Sequence, residues 1–161
     1  MPLKIVSLKL SNLKAAPWRL TDEKSSETKN VVSSLKKFLQ LRPILVRPLD
    51  NESYEIIEGH VVVDAARKAG LEELDCIVHN MTEEEALLTY LHLKLNRTVE
   101  NHVKVGLAFQ RIGDVGKLHH AIAWPRKRIE AYLELRQRDR TWQKFEHVQN
   151  DDGSDEMPIV E

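Results

Sequence analysis

Hydrophobic residues recur at two different periods along the first hundred positions, and the change of period marks out the elements. Residues 4–10 (KIVSLKL) place Ile5 near one end and Leu8 and Leu10 on one face at a spacing close to two, which predicts a half-buried strand. Residues 11–24 show no clear period and contain Pro17 and Trp18. From Ser25 or Ser26, either of which can cap a helix, Val31, Val32, Leu35, Phe38 and Leu39 return at three- and four-residue steps, predicting an amphipathic helix that ends near Leu41. Arg42-Pro43 stops it, because the residue before proline avoids helical angles. Ile44-Leu45-Val46 reads as a buried strand, Asp50 to Ser53 as a turn, and Tyr54 to Glu58 as the returning strand. Gly59 separates that strand from a helix carrying Val61, Val62, Ala65 and Ala66, which Gly70 ends. A short strand follows at Cys76 to Val78, and Thr82-Glu83-Glu84-Glu85 forms a capping box that opens a helix through Leu87, Leu88, Leu91 and Leu95.

After Asn96-Arg97 the strand patterns stop. Thr98 can cap a helix with Val103, Leu107, Ala108 and Ile112 inward and Gly113 at its end; two short helical patterns follow, at 114–121 and 125–135, separated by Ile122-Ala123-Trp124-Pro125. Short helix, tight turn and a second helix with a basic start is the arrangement of a helix-turn-helix. The last residues, QNDDGSDEMPIVE, hold nothing with which to build a core and predict a disordered acidic tail. The fold class expected is therefore α+β, with a strand-rich domain at 1–97, an all-helical module at 98–147 and a tail at 148–161.

Length and composition narrow the classes. The 161 residues make one domain, or a domain with an appendage. The single cysteine, Cys76, closes no internal disulfide and builds no thiolate metal site. No apolar run approaches the roughly 20 residues that cross a bilayer, and the opening stretch has no signal-peptide core, so a cytoplasmic protein without a membrane partner is expected. The net charge of -1 conceals order along the chain. Residues 1–100 hold 14 basic and 15 acidic side chains, residues 101–147 hold 10 and 5, and residues 148–161 hold 0 and 5. An anionic partner is therefore expected at the helical module.

Two places could carry chemistry. Tyr54-Glu-Ile-Ile-Glu-Gly-His60 runs a strand into glycine at a helix start, where exposed amide donors and the helix dipole suit an anion. The ordinary alternative is a tight turn that needs glycine's backbone freedom, with His60 as a capping or surface residue. The second place is the basic start of the last helix. His119 and His120 have no acidic or cysteine neighbours at ligand spacing, and no metal site is expected.

The stretch from 43 to 87, PILVRPLDNESYEIIEGHVVVDAARKAGLEELDCIVHNMTEEEAL, resembles the amino-terminal domain of the ParB family of plasmid and chromosome partition proteins, which shares its fold with sulfiredoxin. The resemblance covers about 140 residues and is strongest at the strand-Gly-helix segment and in the run Ala69 to Val78. It implies CTP with magnesium as ligand, but the motifs depart. Where the family carries Gly-Glu-Arg-Arg this chain has Gly59-His60-Val61-Val62, and valine cannot replace the fixed, charged fork of arginine. Where it carries Glu-Asn-x-x-Arg only Arg97 is kept, and the family's Gly and Gln before the second strand appear as Leu39 and Arg42. CTP binding and hydrolysis are therefore disfavoured, leaving Gly59, His60 and Arg97 as a degenerate nucleotide or anion site. Sulfiredoxin chemistry fails too, since its cysteine position is His60 and Cys76 sits in an apolar strand.

Residues 115–135 resemble the helix-turn-helix that follows this domain in partition proteins, with Ala123 where the tight turn usually has glycine. Leu118, Ile122, Ile129 and Leu133 are expected to form its core. Arg126, Lys127 and Arg128 then occupy the end of the second helix that enters the major groove, with Lys117 and Arg136 adding to the basic surface. The alternative is a solvated basic face of an ordinary helical bundle. The resemblance implies double-stranded DNA as partner, admits a homodimer and a partition ATPase, and points to partition or transcriptional regulation at the nucleoid or on a plasmid. The competing class is a nucleotide-dependent enzyme of the same fold, a CTPase, phosphotransferase or nuclease working at Gly59, His60 and Arg97; no catalytic residue is assigned.

Overall fold

The alternation at the amino terminus builds a strand. In the computed structural model of the protein, which describes residues 3–20, 26–50, 52–95 and 102–138, β1 (Ile5–Lys9) half-buries Val6 and Leu8 and exposes Ile5, Ser7 and Lys9. A 3-10 turn at Leu10–Asn12 leads to β2 (Leu13–Lys14), a strand too short to carry a period, in the stretch expected to be irregular. The helix α1 (Ser26–Phe38), the hairpin β3 (Ile44–Pro48) and β4 (Tyr54–Glu58), the helix α2 (His60–Lys68) and β5 (Glu73–Val78) follow in the expected order. The strands form one mixed sheet in the order β1-β5-β3-β4-β2, with β1/β5 and β3/β4 antiparallel and β5/β3 and β4/β2 parallel. Helices packed together with a mixed sheet make the α+β class expected from the sequence.

Chain contacts divide the molecule into two units after Ala86, inside the helix α3 (Glu83–Leu95). In the first unit α1 packs on α2. Ile44, Val46, Ile56, Leu74 and Cys76 of the sheet form one core with Leu35 of α1 and with Val63, Ala65 and Ala66 of α2. Cys76 is fully buried, and burial, with Asp75 adding to it, pushes its thiol up to about 11. It is a small packed side chain without nucleophilic character at neutral pH.

The start of α1 lies at the described boundary, but its end departs from expectation. The helix stops at Phe38, and Leu39 takes a left-handed backbone with φ 61° while its N–H still reaches the Leu35 carbonyl at 3.0 Å. Phe38 and Leu39, expected to continue the buried stripe, are instead 55% and 69% exposed, and Leu41, near the expected end of the helix, is 71% exposed. What redirects the chain is Gln40. Its amide donates to the carbonyls of Asp75 (2.7 Å) and Arg42 (2.9 Å), and its Oε1 accepts from the Asp75 N–H (2.7 Å), so a side chain continues the β3/β5 pairing beyond its first residue.

The second unit holds the rest of α3, α4 (His102–Ile112), α5 (Val115–Ile122) and α6 (Arg126–Arg138). The capping box at the start of α3 forms as expected: the Thr82 N–H donates to Glu85 Oε2 (2.8 Å) and the Glu85 N–H to Thr82 Oγ1 (3.2 Å). Thr98, the expected cap of α4, lies outside the described residues. The buried face of α4 is Val105, Gly106, Ala108 and Phe109, whereas Val103, Leu107 and Ile112, expected inward, are only half-buried. Gly106 sets that rotation. A Cβ there would come 3.3 Å from the Tyr132 carbonyl, so the glycine lets the backbones of α4 and α6 approach where a larger side chain would hold them apart.

The left-handed turn at Leu39 generates a prediction. A non-glycine residue in this region costs about 1–2 kcal/mol, and glycine's extra chain entropy returns about 0.5–1 kcal/mol of that. With the leucine side chain largely in water, Leu39→Gly is expected to raise stability by up to about 1 kcal/mol, read as a higher urea midpoint at unchanged slope. A lower midpoint would mean that the Leu39 side chain has a packing role.

Candidate nucleic-acid interface and the strand-helix junction

At the first junction β4 delivers the chain to Gly59, whose φ of 110° no L side chain adopts comfortably. A Cβ at Gly59 would stand 2.6 Å from Ile44 Cδ1, so the position combines a backbone requirement with a close approach to the sheet. The tight-turn reading of this glycine therefore has a physical basis on both counts. His60, the first residue of α2, is 2% exposed, and its Nε2 accepts the Ala16 N–H at 3.1 Å, which is neither a surface nor a capping role. Val61 is buried and Val62 half-buried. Arg97 lies outside the described residues, so only Gly59 and His60 of the expected anion site are placed, side by side.

The contact of His60 belongs to a larger set that the sequence reading missed. One helical turn further, Asp64 pairs with Arg19 at 2.5 Å, both side chains being more than nine-tenths buried. Another turn on, the Arg67 guanidinium donates to the carbonyls of Leu13 (2.8 Å) and Leu10 (3.5 Å). His60, Asp64 and Arg67 share one face of α2, four and three residues apart, and together they hold residues 10–19 against it. Ala16 and Trp18 are buried in consequence. The signal was available in principle as a polar stripe on α2, but its partners come from a stretch without periodicity.

In the second unit Asp114 caps α5, accepting the Lys117 N–H at 2.9 Å, and α5 ends at Ala123, left-handed at φ 57° where a glycine would sit without strain. The His119 Nδ1 faces the Trp124 carbonyl at 2.7 Å and must donate, since a carbonyl only accepts. The same argument makes His92 Nδ1 the donor to the Ala121 carbonyl at 2.7 Å, joining α3 to the end of α5. Three residues separate Ile122 from the next helix, which begins at Arg126, and the Pro125 carbonyl accepts from the N–H groups of Arg128 and Ile129.

Leu118, Ile122 and Ile129 are fully buried as expected, while Leu133 is half-buried. The larger contribution comes from aromatic rings not assigned to this core. Phe109, Trp124 and Tyr132 pack with centroids 5.5–5.8 Å apart, and His102 Nδ1 meets the Tyr132 hydroxyl at 2.6 Å. Burial raises the Tyr132 pKa, with the nearby Arg128 charge and hydrogen bond acting against that rise.

Arg126, Lys127 and Arg128 are all exposed and adjacent at the start of α6, whose first turn contains no acidic residue. They differ in what they touch. The Arg128 guanidinium lies over the Trp124 ring at 3.8 Å, a cation–π contact that fixes it. The Arg126 guanidinium stands 4.0 Å from the Cβ position of Gly116, above the first turn of α5, and Lys117 is exposed on that same helix. Arg136 belongs to α6 by its backbone; its side chain lies outside the described residues, as do Arg140, Trp142, Lys144, Phe145 and the tail at 148–161. Among the described residues no cluster of His, Cys, Asp or Glu could hold a metal ion, and none of their helices is long and apolar enough to cross a membrane.

Comparison with known proteins bears on both units. The family model of the ParB N-terminal domain matches residues 3–94. The chain is 28% identical over 120 residues to the chromosome-partitioning protein Spo0J of Thermus thermophilus, covering 74% of this chain and 44% of that one. It is 36% identical over 90 residues to the chromosome-partitioning protein ParB of Myxococcus xanthus, covering 56% and 30%. It thus spans less than half the length of these curated relatives. Two solved structures of C-terminally truncated ParB from Caulobacter crescentus share its fold at 19% identity. One is complexed to the centromeric parS site (TM-score 0.59, covering 87% of this chain and 76% of that one), the other with CTP-gamma-S (TM-score 0.54, covering 88% and 83%).

The Arg19–Asp64 pair is the contact whose loss should be felt most. Removing one partner of a buried pair leaves the other charge desolvated and costs about 3–5 kcal/mol. Arg19→Ala should therefore destabilise the first unit by about 3 kcal/mol in denaturant titration; a change below about 1 kcal/mol would show that Asp64 regains water and that the pair does not hold the segment.

Proposed function

The chain belongs to the ParB N-terminal domain family, and from that premise we propose that it is a DNA-binding protein of partition or regulatory type, in which residues 98–147 read the duplex. The observation that carries the reading is the charge at the start of α6. Three consecutive cations stand at the positive end of a helix dipole, an arrangement that disfavours the helix unless an anion lies against it. Duplex phosphate supplies that anion, and a helix start following a short turn from α5 has the disposition of a recognition helix. Relatives named for chromosome partitioning, and a relative of the same fold complexed to parS, support the same assignment.

Within this reading Arg126 and Lys127 are the groups that reach DNA, Arg128 is held on Trp124 and presents its charge from a fixed position, and Lys117 and Arg136 add phosphate contacts. A relative binds CTP-gamma-S; here the junction at Gly59 and His60 is read as a degenerate nucleotide site and the protein as a non-enzyme. Double-stranded DNA is the partner, with self-association and a partition ATPase as further partners of this type of protein. The residues at 148–161, with five acids and no base, compete with phosphate for the same cations across a Debye length of about 8 Å at physiological salt.

Two measurements test this. Arg126→Ala with Lys127→Ala should weaken duplex binding and lower the slope of log affinity against log salt by about 2, one per lost phosphate contact. The double variant should also melt at a temperature no lower than the parent, since it relieves repulsion at the helix start. An unchanged slope would assign these cations to a solvated helical face. Separately, removal of residues 148–161 should tighten duplex binding, most strongly at low salt; equal affinity with and without the tail would limit the tail to a solubilising role.

A further inference from the structure

A triphosphate is held by cationic forks and by amide donors left open to it, so a junction able to take CTP must supply both. The side chains at this one supply no such fork. Glu58, the last residue of β4, brings a carboxylate whose Oε2 is buried and meets no hydrogen-bond donor among the described residues, and a second anion beside it would be repelled. Gly59 is pressed onto Ile44, His60 is engaged with the Ala16 amide, and Val61 and Val62 carry no polar atom in their side chains. The first turn of α2 has no charged side chain. Its basic residues are Arg67 and Lys68 in the last turn, and Arg67 is spent on the carbonyls of Leu10 and Leu13. Arg19, which also approaches α2, is paired with Asp64.

We infer that the amino-terminal unit is independent of nucleotide: the face of α2 formed by His60, Asp64 and Arg67 binds the chain's own residues 13–19 and holds the unit in shape without CTP. The donor set explains the choice of partner. Along this face run an acceptor, an anion and a cation, and residues 13–19 offer in matching places an amide N–H, a guanidinium and a carbonyl. Three polar side chains of this face thus meet complementary groups inside the same chain, which lowers the cost of holding His60 and Asp64 out of water. A triphosphate would offer the same face only acceptors and negative charge. The inference stands apart from DNA binding, which belongs to the other unit.

Hydrogen exchange on the full chain, followed by mass spectrometry, tests it. Without nucleotide, peptides covering 13–19 should be protected, and millimolar CTP with magnesium should leave exchange at 13–19 and 58–63 unchanged. Asp64→Asn, which keeps the shape and removes the charge, should speed exchange at 13–19 by roughly tenfold or more as that segment opens locally, and CTP should not reverse it. Slowed exchange at 58–63 on adding CTP, or protection of 13–19 that appears only with CTP, would overturn the inference. So would an Asp64→Asn protein that exchanges at 13–19 like the parent.

Discussion

A helix packed on a sheet buries one stripe in the core, and whatever polar groups it carries elsewhere must find water or a partner. On α2 the core stripe is Val63 with Ala65 and Ala66, while on another face His60 and Asp64 are buried and the exposed Arg67 reaches back to the carbonyls of Leu13 and Leu10. That constraint organises the amino-terminal unit. Because the three side chains bond to residues 10–19, a stretch with no periodicity is ordered along the helix, Trp18 and Ala16 are buried, and Leu13 and Lys14 are brought into register with Tyr54 and Glu55 as the edge strand β2. Gly59 sets where the helix begins, since its positive φ and its contact with Ile44 leave the chain one way to turn from strand to helix.

The legible parts of this fold are those decided by chemistry within a few residues. The hairpin β3/β4, the capping box at Thr82, the glycine at 59 and the stop at Gly113 follow from propensity, capping geometry and backbone sterics, and each lies where those rules put it. The misses have a common cause, which is that a distant group made the choice. Gln40 pairs with Asp75, 35 residues on, and so ends α1 before Leu39 can continue its stripe. Gly106 lets α4 settle against the Tyr132 carbonyl and turns Val105 and Phe109 inward in place of Val103 and Leu107. Neither partner can be paired with its helix by periodicity, which sees only one element at a time.

The same distinction runs through the candidate site. That Arg126, Lys127 and Arg128 form a basic helix start is plain from the residues, but which of them is committed to the protein is not. Trp124, expected in the turn, is 7% exposed and packs edge-on against Phe109 and tilted against Tyr132, and the Arg128 guanidinium lies over its ring. The cation is partly an element of the aromatic core, so its replacement disturbs packing as well as charge. Arg126 and Lys127 are the better reporters of electrostatics alone.

Set side by side, the two units use their cations in opposite ways. In the first, Arg19, Arg47 and Arg67 are each paired or hydrogen-bonded at 2.5–2.8 Å to Asp64, Glu55 and the Leu13 carbonyl, so their charge and donors serve the fold. In the second, Arg126 and Lys127 are exposed at a helix end that repels them, where no acidic side chain of the first turn offsets the charge. A positive helix end with no acidic side chain in its first turn carries a repulsion that an added anion can relieve, whereas a cation already satisfied inside gains little from one. On the function proposed here, the division of labour follows from that difference: an anionic partner is expected to gain more at the start of α6 than at the junction before α2, even though the junction carries the glycine that first draws the eye to phosphate.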